Sequence, residues 1–383
     1  TMAQRMIWNQ TAYFGAGSIS VIPGELALRG YTKALVVTDA PLLASGVVER
    51  VTGLLDEAAF AYDVYSDVVP NPTIENVQTG VAALAASGAD VLIAIGGGSP
   101  QDTCKAIGII TANPEFSDVR SLEGVAPTTK PSVPIIAIPT TAGTASETTI
   151  NYVITDVERQ RKFVCVDPHD IPILAIVDSE MMASAPRSLK VATGLDALTH
   201  AIEGYTTAGA WELSDLFHLK AIQVIAGALR GAAEGDPAAA ERMALGQYVA
   251  GMGYSNVGLG LVHAMAHPLG AFYSAPHGVA NGILLAPVMA FNAEATGEKF
   301  RDIAAAFGVD VSGMSTEAAR TAAVDAVAAL TRDLGNPVTL REIGAKESDI
   351  PALAQAAFDD VCAGGNPRPA TVAEIEELYR ALY

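Results

Sequence analysis

The feature that most constrains this chain is an apolar run at residues 91–95 that leads directly into three consecutive glycines. The run Val-Leu-Ile-Ala-Ile is typical of a strand buried on both faces of a sheet. Ser99, Pro100 and Asp102 follow at what we predict to be the N-cap, N1 and N3 positions of a helix. Free amide groups at such a helix start suit a pyrophosphate. A plain strand-to-helix turn is the alternative, because the pattern is not the usual GxGxxG dinucleotide fingerprint.

Short β-branched runs alternate with helix-like segments through the first half of the chain. The predicted strands lie at 34–38, 61–65, 91–95, 135–138 and 173–177. Alternation of this kind is typical of βαβ units, so we predict a parallel, doubly wound, Rossmann-like sheet with a ligand crevice at the carboxyl ends of its strands. Two further runs, Asn151–Asp156 and Arg161–Val166, predict an antiparallel hairpin added to this sheet.

Beyond Pro186 the β-branched runs give way to long alanine- and leucine-rich segments with helical spacing. We therefore predict an α/β nucleotide-binding domain over 1–185 and an all-helical C-terminal domain over 186–383, joined by a tight hinge near 180–187. A chain of 383 residues, half of them hydrophobic, can bury a core in each domain. We expect the functional site in a cleft beside the hinge.

Composition narrows the classes of partner. The chain carries 23 basic and 42 acidic side chains, a formal net charge of −19, which argues against nucleic acid or an anionic membrane. No apolar stretch reaches the roughly 18 residues of a membrane-spanning helix, and the first residues do not resemble a secretory signal. Three cysteines without CxxC spacing are typical of a reducing compartment. We expect a soluble cytoplasmic protein.

Two further loops at predicted strand ends suit a nicotinamide dinucleotide. Asp39 follows the strand at 34–38, where a carboxylate can accept hydrogen bonds from ribose hydroxyls and would repel a 2′-phosphate, which favours NAD over NADP. The loop at 139–149 places six hydroxyl side chains around one glycine, and such donors suit phosphate oxygens. Each feature alone is common turn chemistry. Three such loops at strand ends together favour a dinucleotide site.

Histidines cluster in the predicted helical half. Asp196 and His200 are spaced i,i+4 and share one helical face. His263, His267 and His277 lie within fifteen residues of one another. The proline after His267 disfavours helical geometry there, so we expect the helix to end at His267 and the other two imidazoles to join Asp196 and His200. One carboxylate and three neutral imidazoles suit a borderline divalent ion, Fe(II) or Zn(II).

The alternative for Asp196 and His200 is an ion pair or a hydrogen bond on a helix surface, the commoner role of an isolated pair with this spacing. The density of imidazoles further along the chain favours a metal site instead. Two other histidines, His169 and His218, have no such neighbours in sequence. We interpret them as a loop residue and a helix-surface residue.

These motifs together resemble the iron-containing (group III) alcohol dehydrogenases. The resemblance rests on 96–102 with Lys105, on the threonine-rich loop, on 196–200 continuing into Glu203 and Gly204, and on 260–277. It covers essentially the whole chain. It implies the two domains predicted above and a homodimer formed through an N-terminal strand, for which 6–14 is the candidate here.

The resemblance also implies roles for individual residues. It implies Asp196, His200, His263 and His277 as the metal ligands, with Fe(II) favoured and Zn(II) possible. His267 matches a histidine between the metal and the nicotinamide, where it could relay a proton or orient a ring. The positions that match NAD contacts are Asp39, Asn71, Gly97, Gly98, Ser99, Thr140, Thr141, Thr144, Val153 and Lys162.

The implied activity is NAD-dependent hydride exchange between a short-chain alcohol and its aldehyde. Candidate walls of a small, mostly apolar pocket are Asn151, Tyr254, Leu259, Phe272 and Cys362. No Lys or Arg occurs at 259–269 or 271–280, so we expect short vicinal diols and hydroxyaldehydes rather than phosphorylated sugars. The alternatives are a broad-specificity iron-type alcohol or butanol dehydrogenase, a metal- and NAD-using lyase resembling dehydroquinate synthase, and a nucleotide-binding module without chemistry.

Overall fold

The computed structural model describes residues 2–383, and the chain divides into two compact units. The first unit runs to Thr141 and resumes over Ala145–Ser184. The second comprises Ala142–Thr144 and Ala185–Tyr383. Within the described residues, no helix is both long enough and apolar enough to cross a lipid bilayer.

The first unit contains the strands β1 Thr11–Phe14, β2 Lys33–Val37, β3 Ala61–Tyr65, β4 Val91–Gly96, β5 Ile135–Pro139, β6 Asn151–Asp156, β7 Arg161–Val166 and β8 Leu174–Val177. Its helices are α1 Ile22–Arg29, α2 Ala40–Ser45, α3 Glu49–Glu57, α4 Ile74–Ser87 and α5 Gly98–Ala112. Six strands form one sheet in the order β1-β8-β5-β4-β2-β3, and every neighbouring pair is parallel. The predicted parallel, Rossmann-like sheet is confirmed.

The side chains of β4 point alternately into two apolar clusters, which explains why both faces of this sheet are covered. Val91 and Ile93 belong to one apolar cluster, which includes residues of α1 and α3. Leu92 and Ala94 point the other way and belong to a second cluster with residues of α4 and α5. Successive side chains of a strand face opposite sides. A continuous apolar run therefore requires helices on both.

The predicted hairpin forms, but its predicted position was wrong. β6 and β7 pair antiparallel from Asn151 opposite Val166 to Asp156 opposite Arg161, as a separate two-stranded sheet. The reason lies in what the hairpin buries: Tyr152 packs in a cluster with residues of α4 and α5. Its apolar face is thus covered by helices, and it does not extend the main sheet.

The second unit is helical, as predicted. Its helices are α6 Arg187–Thr206, α7 Glu212–Ala233, α8 Pro237–Val257, α9 Leu261–Tyr273, α10 His277–Asn292, α11 Lys299–Ala306, α12 Thr316–Asp333, α13 Ile350–Asp359 and α14 Val372–Ala381. The prediction that a helix ends at His267 was wrong, because α9 continues through Pro268. A proline removes one helical hydrogen bond. Burial of the flanking Ala266 and Leu269 in the core of this unit keeps the segment helical.

His218 is not the surface residue that its sequence neighbourhood suggests. It lies in α7 and is fully buried. Its ring fills the space beside Gly204 of α6 and Gly253 of α8, where an added Cβ would overlap Nε2. Neither ring nitrogen has a hydrogen-bond partner among the described residues. Burial, with a smaller effect of Lys299 and His200, lowers the pKa of His218 to about 3.

This depressed pKa predicts a pH-dependent stability. A histidine in the unfolded chain titrates near 6.5, so between about pH 6.5 and pH 3 the unfolded state binds more protons than the folded state. His218 therefore makes the free energy of unfolding fall as pH falls below about 6.5, by up to ~1.4 kcal/mol per pH unit. We predict that His218→Leu flattens this slope, as measured by urea unfolding at pH 7, 6 and 5. Parallel slopes for the variant and the wild type would contradict the prediction.

Candidate active site

Helix α6 presents Asp196 and His200 on one face, as their i,i+4 spacing predicts. Only 4% of the surface of Asp196 and 5% of that of His200 is exposed. The Oδ1 atom of Asp196 lies 3.3 Å from Nε2 of His200. This burial excludes the alternative of a pair on a helix surface.

Two further helices bring imidazoles to the same carboxylate oxygen. His263, in the first turn of α9, places Nε2 3.3 Å from Oδ1 of Asp196. His277, the first residue of α10, places Nε2 3.2 Å from it. Asn281, one turn later, donates a hydrogen bond from Nδ2 to this oxygen at 2.9 Å. Three imidazole nitrogens thus lie within 3.3 Å of one carboxylate oxygen. The ligand atoms of Asp196, His263 and His277 all lie within 4.8 Å of one another, a group to which His200 does not belong. A carboxylate with imidazoles is a donor set that suits a borderline divalent cation.

The imidazole rings are packed against one another and against a tyrosine. The ring of His200 stacks on Tyr254 with centroids 4.1 Å apart, and on His263 with centroids 4.9 Å apart. The Tyr254 hydroxyl donates to the carbonyl of Thr144 at 2.6 Å. Tyr254, which the sequence suggests as a pocket wall, thus holds one face of His200.

Burial and mutual interactions set the protonation of this cluster. Burial opposes ionisation of Asp196, but the neighbouring His200 and His277 hold its pKa well below the ordinary value. Burial lowers the pKa of His200 to about 3 and also lowers that of His277. Burial would lower the pKa of His263 too, but hydrogen bonds with Asp196 and Glu203 raise it to about 9. An ionised carboxylate with neutral His200 and His277 matches the protonation that metal ligands need, whereas His263 would have to release a proton from Nε2 before it could bind a metal.

His267 lies one turn after His263 in α9 but contacts a different carboxylate. Its Nδ1 atom is 2.7 Å from Oδ2 of Asp360, and its ring stacks on that of His277 with centroids 5.5 Å apart. The other oxygen of Asp360 accepts the backbone N–H of Cys362 at 2.8 Å. Asp360 therefore fixes both the His267 ring and the segment that carries Cys362.

In the first unit, three loops follow the neighbouring strands β2, β4 and β5. Asp39, after β2, caps α2 by accepting a main-chain hydrogen bond at 2.8 Å. Thr140, after β5, donates its main-chain N–H to the carbonyl of Gly96 at 3.0 Å. A Cβ on Gly97 would lie 3.4 Å from Oγ1 of Thr141. The glycine loop and the threonine loop therefore lie side by side at the carboxyl edge of the sheet.

The predicted capping of α5 was wrong. Gly97, not Ser99, is the N-cap residue, and the helix begins at Gly98. Asp102 does not close a capping box, because its partly buried carboxylate accepts hydrogen bonds from Ser146 Oγ at 2.8 Å and from the main chain of Val153 at 3.0 Å. Asp102 is committed to joining the helix to the threonine loop and to β6.

The hairpin brings three of the proposed cofactor positions into one neighbourhood. The Lys162 ammonium donates to Oδ1 of Asn71 at 2.7 Å, and Asn71 has a left-handed φ of 56°. The main-chain N–H of Thr155 donates to the carbonyl of Pro72 at 2.7 Å. The loop after β3 is thereby fastened to the hairpin that carries Val153.

Lys105 is fully buried in α5 and binds other parts of the first unit. Its ammonium donates to the carbonyl oxygens of Thr149 at 2.8 Å and Asn151 at 3.0 Å, and to Oγ1 of Thr149 at 3.0 Å. Burial lowers its pKa, and Asp170 and Asp102 oppose that shift. Lys105 thus anchors α5 to the threonine loop and β6.

Sequence reasoning assigned no role to three residues of the candidate site. Asn281 follows His277 with the i,i+4 spacing that marks Asp196 and His200, so the signal was present. Glu203 extends the same face of α6 by one more turn and could be found in the same way. Asp360 is 93 residues from His267, and only the folded chain brings the two together.

An α/β unit with dinucleotide-type loops, together with a helical unit that buries a carboxylate among three imidazoles, is typical of a metal- and dinucleotide-dependent oxidoreductase. Comparison with known families agrees. A family model described as iron-containing alcohol dehydrogenase matches residues 9–179. A second, described as the Fe-containing alcohol dehydrogenase family, C-terminal, matches residues 190–383.

Individual relatives give the same result. The chain is 66% identical over 382 residues to a lactaldehyde reductase of Escherichia coli (strain K12), covering 100% of both chains. It is 42% identical over 368 residues to an NAD-dependent methanol dehydrogenase of Bacillus methanolicus, covering 96% of each. A crystal structure of 1,3-propanediol oxidoreductase matches it with a TM-score of 0.97 and 39% identity, covering 100% of both chains. The chain belongs to the iron-containing alcohol dehydrogenase family.

The packing beside His277 generates a prediction. Gly278 lies so close to α6 that an added Cβ would overlap the carbonyl oxygen of Ala192. We predict that Gly278→Ala displaces the start of α10 and lowers the free energy of unfolding by about 1–3 kcal/mol. The matched control is Gly270→Ala in α9, where the nearest atom to the added Cβ, the carbonyl oxygen of Ala275, is 3.7 Å away.

Gly270→Ala should leave stability unchanged or raise it by up to ~1 kcal/mol, because alanine favours the helix. Urea unfolding of both variants beside the wild type measures the difference. Equal free energies of unfolding for the two variants would show that the start of α10 can shift without destabilising the protein.

Proposed function

We propose that this protein interconverts lactaldehyde and propane-1,2-diol by NAD- and metal-dependent hydride transfer. The observation that carries the proposal is its 66% identity to E. coli lactaldehyde reductase over the full length of both chains. Membership of the iron-containing alcohol dehydrogenase family supports the reaction class. The buried cluster around Asp196 supports a metal requirement.

Asp196, His200, His263 and His277 would hold the metal, which we propose to be Fe(II), with Zn(II) as the alternative. The neutral state of His200 and the ionised state of Asp196 fit this role. The cluster is buried except at His277, whose side chain is 40% exposed, so access is from the His277 side. A metal held by these residues would supply Lewis-acid polarisation of the substrate oxygen, and a bound nicotinamide would supply the hydride exchange.

The first domain, 1–185, would bind NAD, and the second, 186–383, the metal. The start of α5 has no side-chain cap, so the main-chain N–H groups near Gly97, Gly98 and Ser99 suit the pyrophosphate. Asp39 would accept hydrogen bonds from the ribose. The remaining contacts that we propose are Asn71, Thr140, Thr141, Thr144, Val153 and Lys162.

His267 is the proposed proton relay. Asp360 accepts a hydrogen bond from its Nδ1, which leaves Nε2 free to exchange a proton with substrate or solvent. Its side chain is 36% exposed, so it can reach both. Its stacking on His277 equally supports a role in orienting a ring.

A small pocket with little positive charge would select the substrate. Tyr254 and Cys362 lie close to the imidazoles. Tyr254 stacks on His200, and Sγ of Cys362 lies within 4.8 Å of a ring nitrogen of His267. Leu259 and Phe272, in the same unit, are further proposed walls. Because no Lys or Arg flanks the ligands at 259–269 or 271–280, a phosphate group would find no compensating charge there.

Steady-state kinetics with a substrate panel tests the function. We expect NAD-dependent oxidation of propane-1,2-diol and NADH-dependent reduction of lactaldehyde. For oxidation, kcat/KM with propane-1,2-diol should be at least tenfold higher than with methanol, butan-1-ol or propane-1,3-diol. A small pocket with one polar wall can discriminate by about this factor. The methanol dehydrogenase relative favours a broad-specificity alcohol dehydrogenase as the second candidate. Equal kcat/KM values across the panel would support that candidate, and a preference for glycerol 1-phosphate would refute the pocket argument.

Cofactor choice tests the role of Asp39. Asp39→Asn keeps a side-chain oxygen that can cap α2 but removes the negative charge. We predict that the ratio of kcat/KM for NADPH to that for NADH rises by at least tenfold, because a like-charge clash is removed. The matched control is Asp67→Asn. Asp67 pairs with Asp39 in an isolated β-bridge, and its substitution should change this ratio much less. An unchanged ratio in Asp39→Asn would place Asp39 away from the ribose.

Assembly and location complete the proposal. β1 is an edge strand of the sheet. Trp8, which precedes the strand, is 38% exposed, and Phe14, its last residue, is 45% exposed. Exposed apolar residues at a sheet edge favour pairing with another strand, which supports a homodimer through 6–14. Light scattering would show the mass of the assembly. All three cysteines are free, which supports a cytoplasmic location.

A further inference from the structure

Glu203 is a buried acidic residue for which the proposed mechanism has no role. It lies in α6, seven residues after Asp196, and 5% of its surface is exposed. Its carboxylate faces the start of α9, where the chain passes from Gly260 into the first helical turn. A buried carboxylate requires several hydrogen-bond donors.

The donors that Glu203 finds are all at the start of α9. Oε2 accepts the main-chain N–H of Val262 at 2.8 Å, and Oε1 accepts that of His263 at 3.1 Å. Oε1 also lies 2.6 Å from Nδ1 of the His263 ring. One carboxylate therefore satisfies two free amides of the helix start and binds the side chain of a proposed metal ligand.

Gly260 makes this approach possible. A Cβ at this position would lie 2.8 Å from Oε2 of Glu203 and 3.0 Å from Oδ1 of Asn366. Asn366 accepts the remaining amide of the turn, that of Leu261, at 3.1 Å. Two side chains thus cap α9, but of these only Glu203 also contacts the His263 ring.

We infer that Glu203 is a positioning residue of the metal centre, an inference that rests on the proposed function. With Nδ1–H donated to Glu203, the nitrogen of His263 left for a metal is Nε2, the one that faces Asp196. The same carboxylate fixes the first turn of α9, so the ring and its backbone are held together. Carboxylates behind ligating histidines orient the ring and raise its basicity.

Glu203→Gln is the sharpest test because it conserves shape. In either orientation of the amide, an NH2 group would face a donor: the N–H of Val262, or the main chain and ring of His263. In the second orientation the ring avoids the NH2 group only by moving its proton to Nε2, where it would block a metal, and the main-chain N–H of His263 would still lack an acceptor. We expect the dissociation constant for Zn2+ to rise 10–100-fold.

The matched control is Asn366→Ala, which removes the other cap of α9 without touching the His263 ring. It should lower the melting temperature yet leave the Zn2+ dissociation constant of the folded protein within about threefold of the wild type. His263→Ala serves as the reference for loss of a ligand. Zn2+ affinity is measured by competition with a chelating dye on metal-stripped, full-length protein, and circular dichroism reports folding.

The outcomes separate the inference from the proposed function. Weakened Zn2+ binding in Glu203→Gln with near wild-type binding in Asn366→Ala supports the inference. Unchanged binding in Glu203→Gln, or equal weakening in both variants, overturns it and leaves the metal site standing. Unchanged binding in His263→Ala overturns the proposed metal site itself. If Glu203→Gln does not fold, Glu203→Asp carries the same comparison, because it keeps the charge but retracts it from the ring.

Discussion

Burial of the Asp196 carboxylate is the constraint on which the helical unit depends. A carboxylate removed from water must be compensated by hydrogen bonds or by positive charge. Among the described residues, the side-chain nitrogens closest to Oδ1 of Asp196 come from three histidines, on α6, α9 and α10, and from Asn281. Deleting one partner of a buried charge typically costs about 3–5 kcal/mol. The three helices are therefore held in one arrangement, and a divalent cation would satisfy the same carboxylate and relieve the crowding of its donors.

Glycines make that arrangement sterically possible. Gly278 lets the start of α10 reach the main chain of α6, and Gly260 lets the Glu203 carboxylate reach the start of α9. Both positions are occupied by helix termini whose main-chain groups must find partners. The close approach thus serves two purposes: it brings the imidazoles together, and it lets side chains of α6 satisfy the amides of α9.

The sequence predicts the layers of the fold well, because buried parallel strands and helices have strong periodic signals. β3 and the hairpin strands are predicted to the residue, whereas the helix start after β4 was misplaced because the glycines, not Ser99, supply the N-cap conformation. Pro268 shows a different limit: its local preference is overridden by the buried neighbours of α9. His218 shows a third, since its burial depends on two glycines in other helices, which no local pattern reveals.

A common principle links the interiors of the two units. In the first, the buried Lys105 and the partly buried Asp102 of α5 fasten the threonine loop and β6, which carry several of the proposed cofactor contacts. In the second, the buried Glu203 of α6 fastens the first turn of α9 and its imidazole. In each case a charged side chain on a helix holds, from behind, the segment that would meet the ligand. Catalytic geometry must be maintained within about 0.5 Å, and loops alone rarely achieve this. Buried charges that bind main-chain groups provide the rigidity because each has a single arrangement in which all its hydrogen bonds are made.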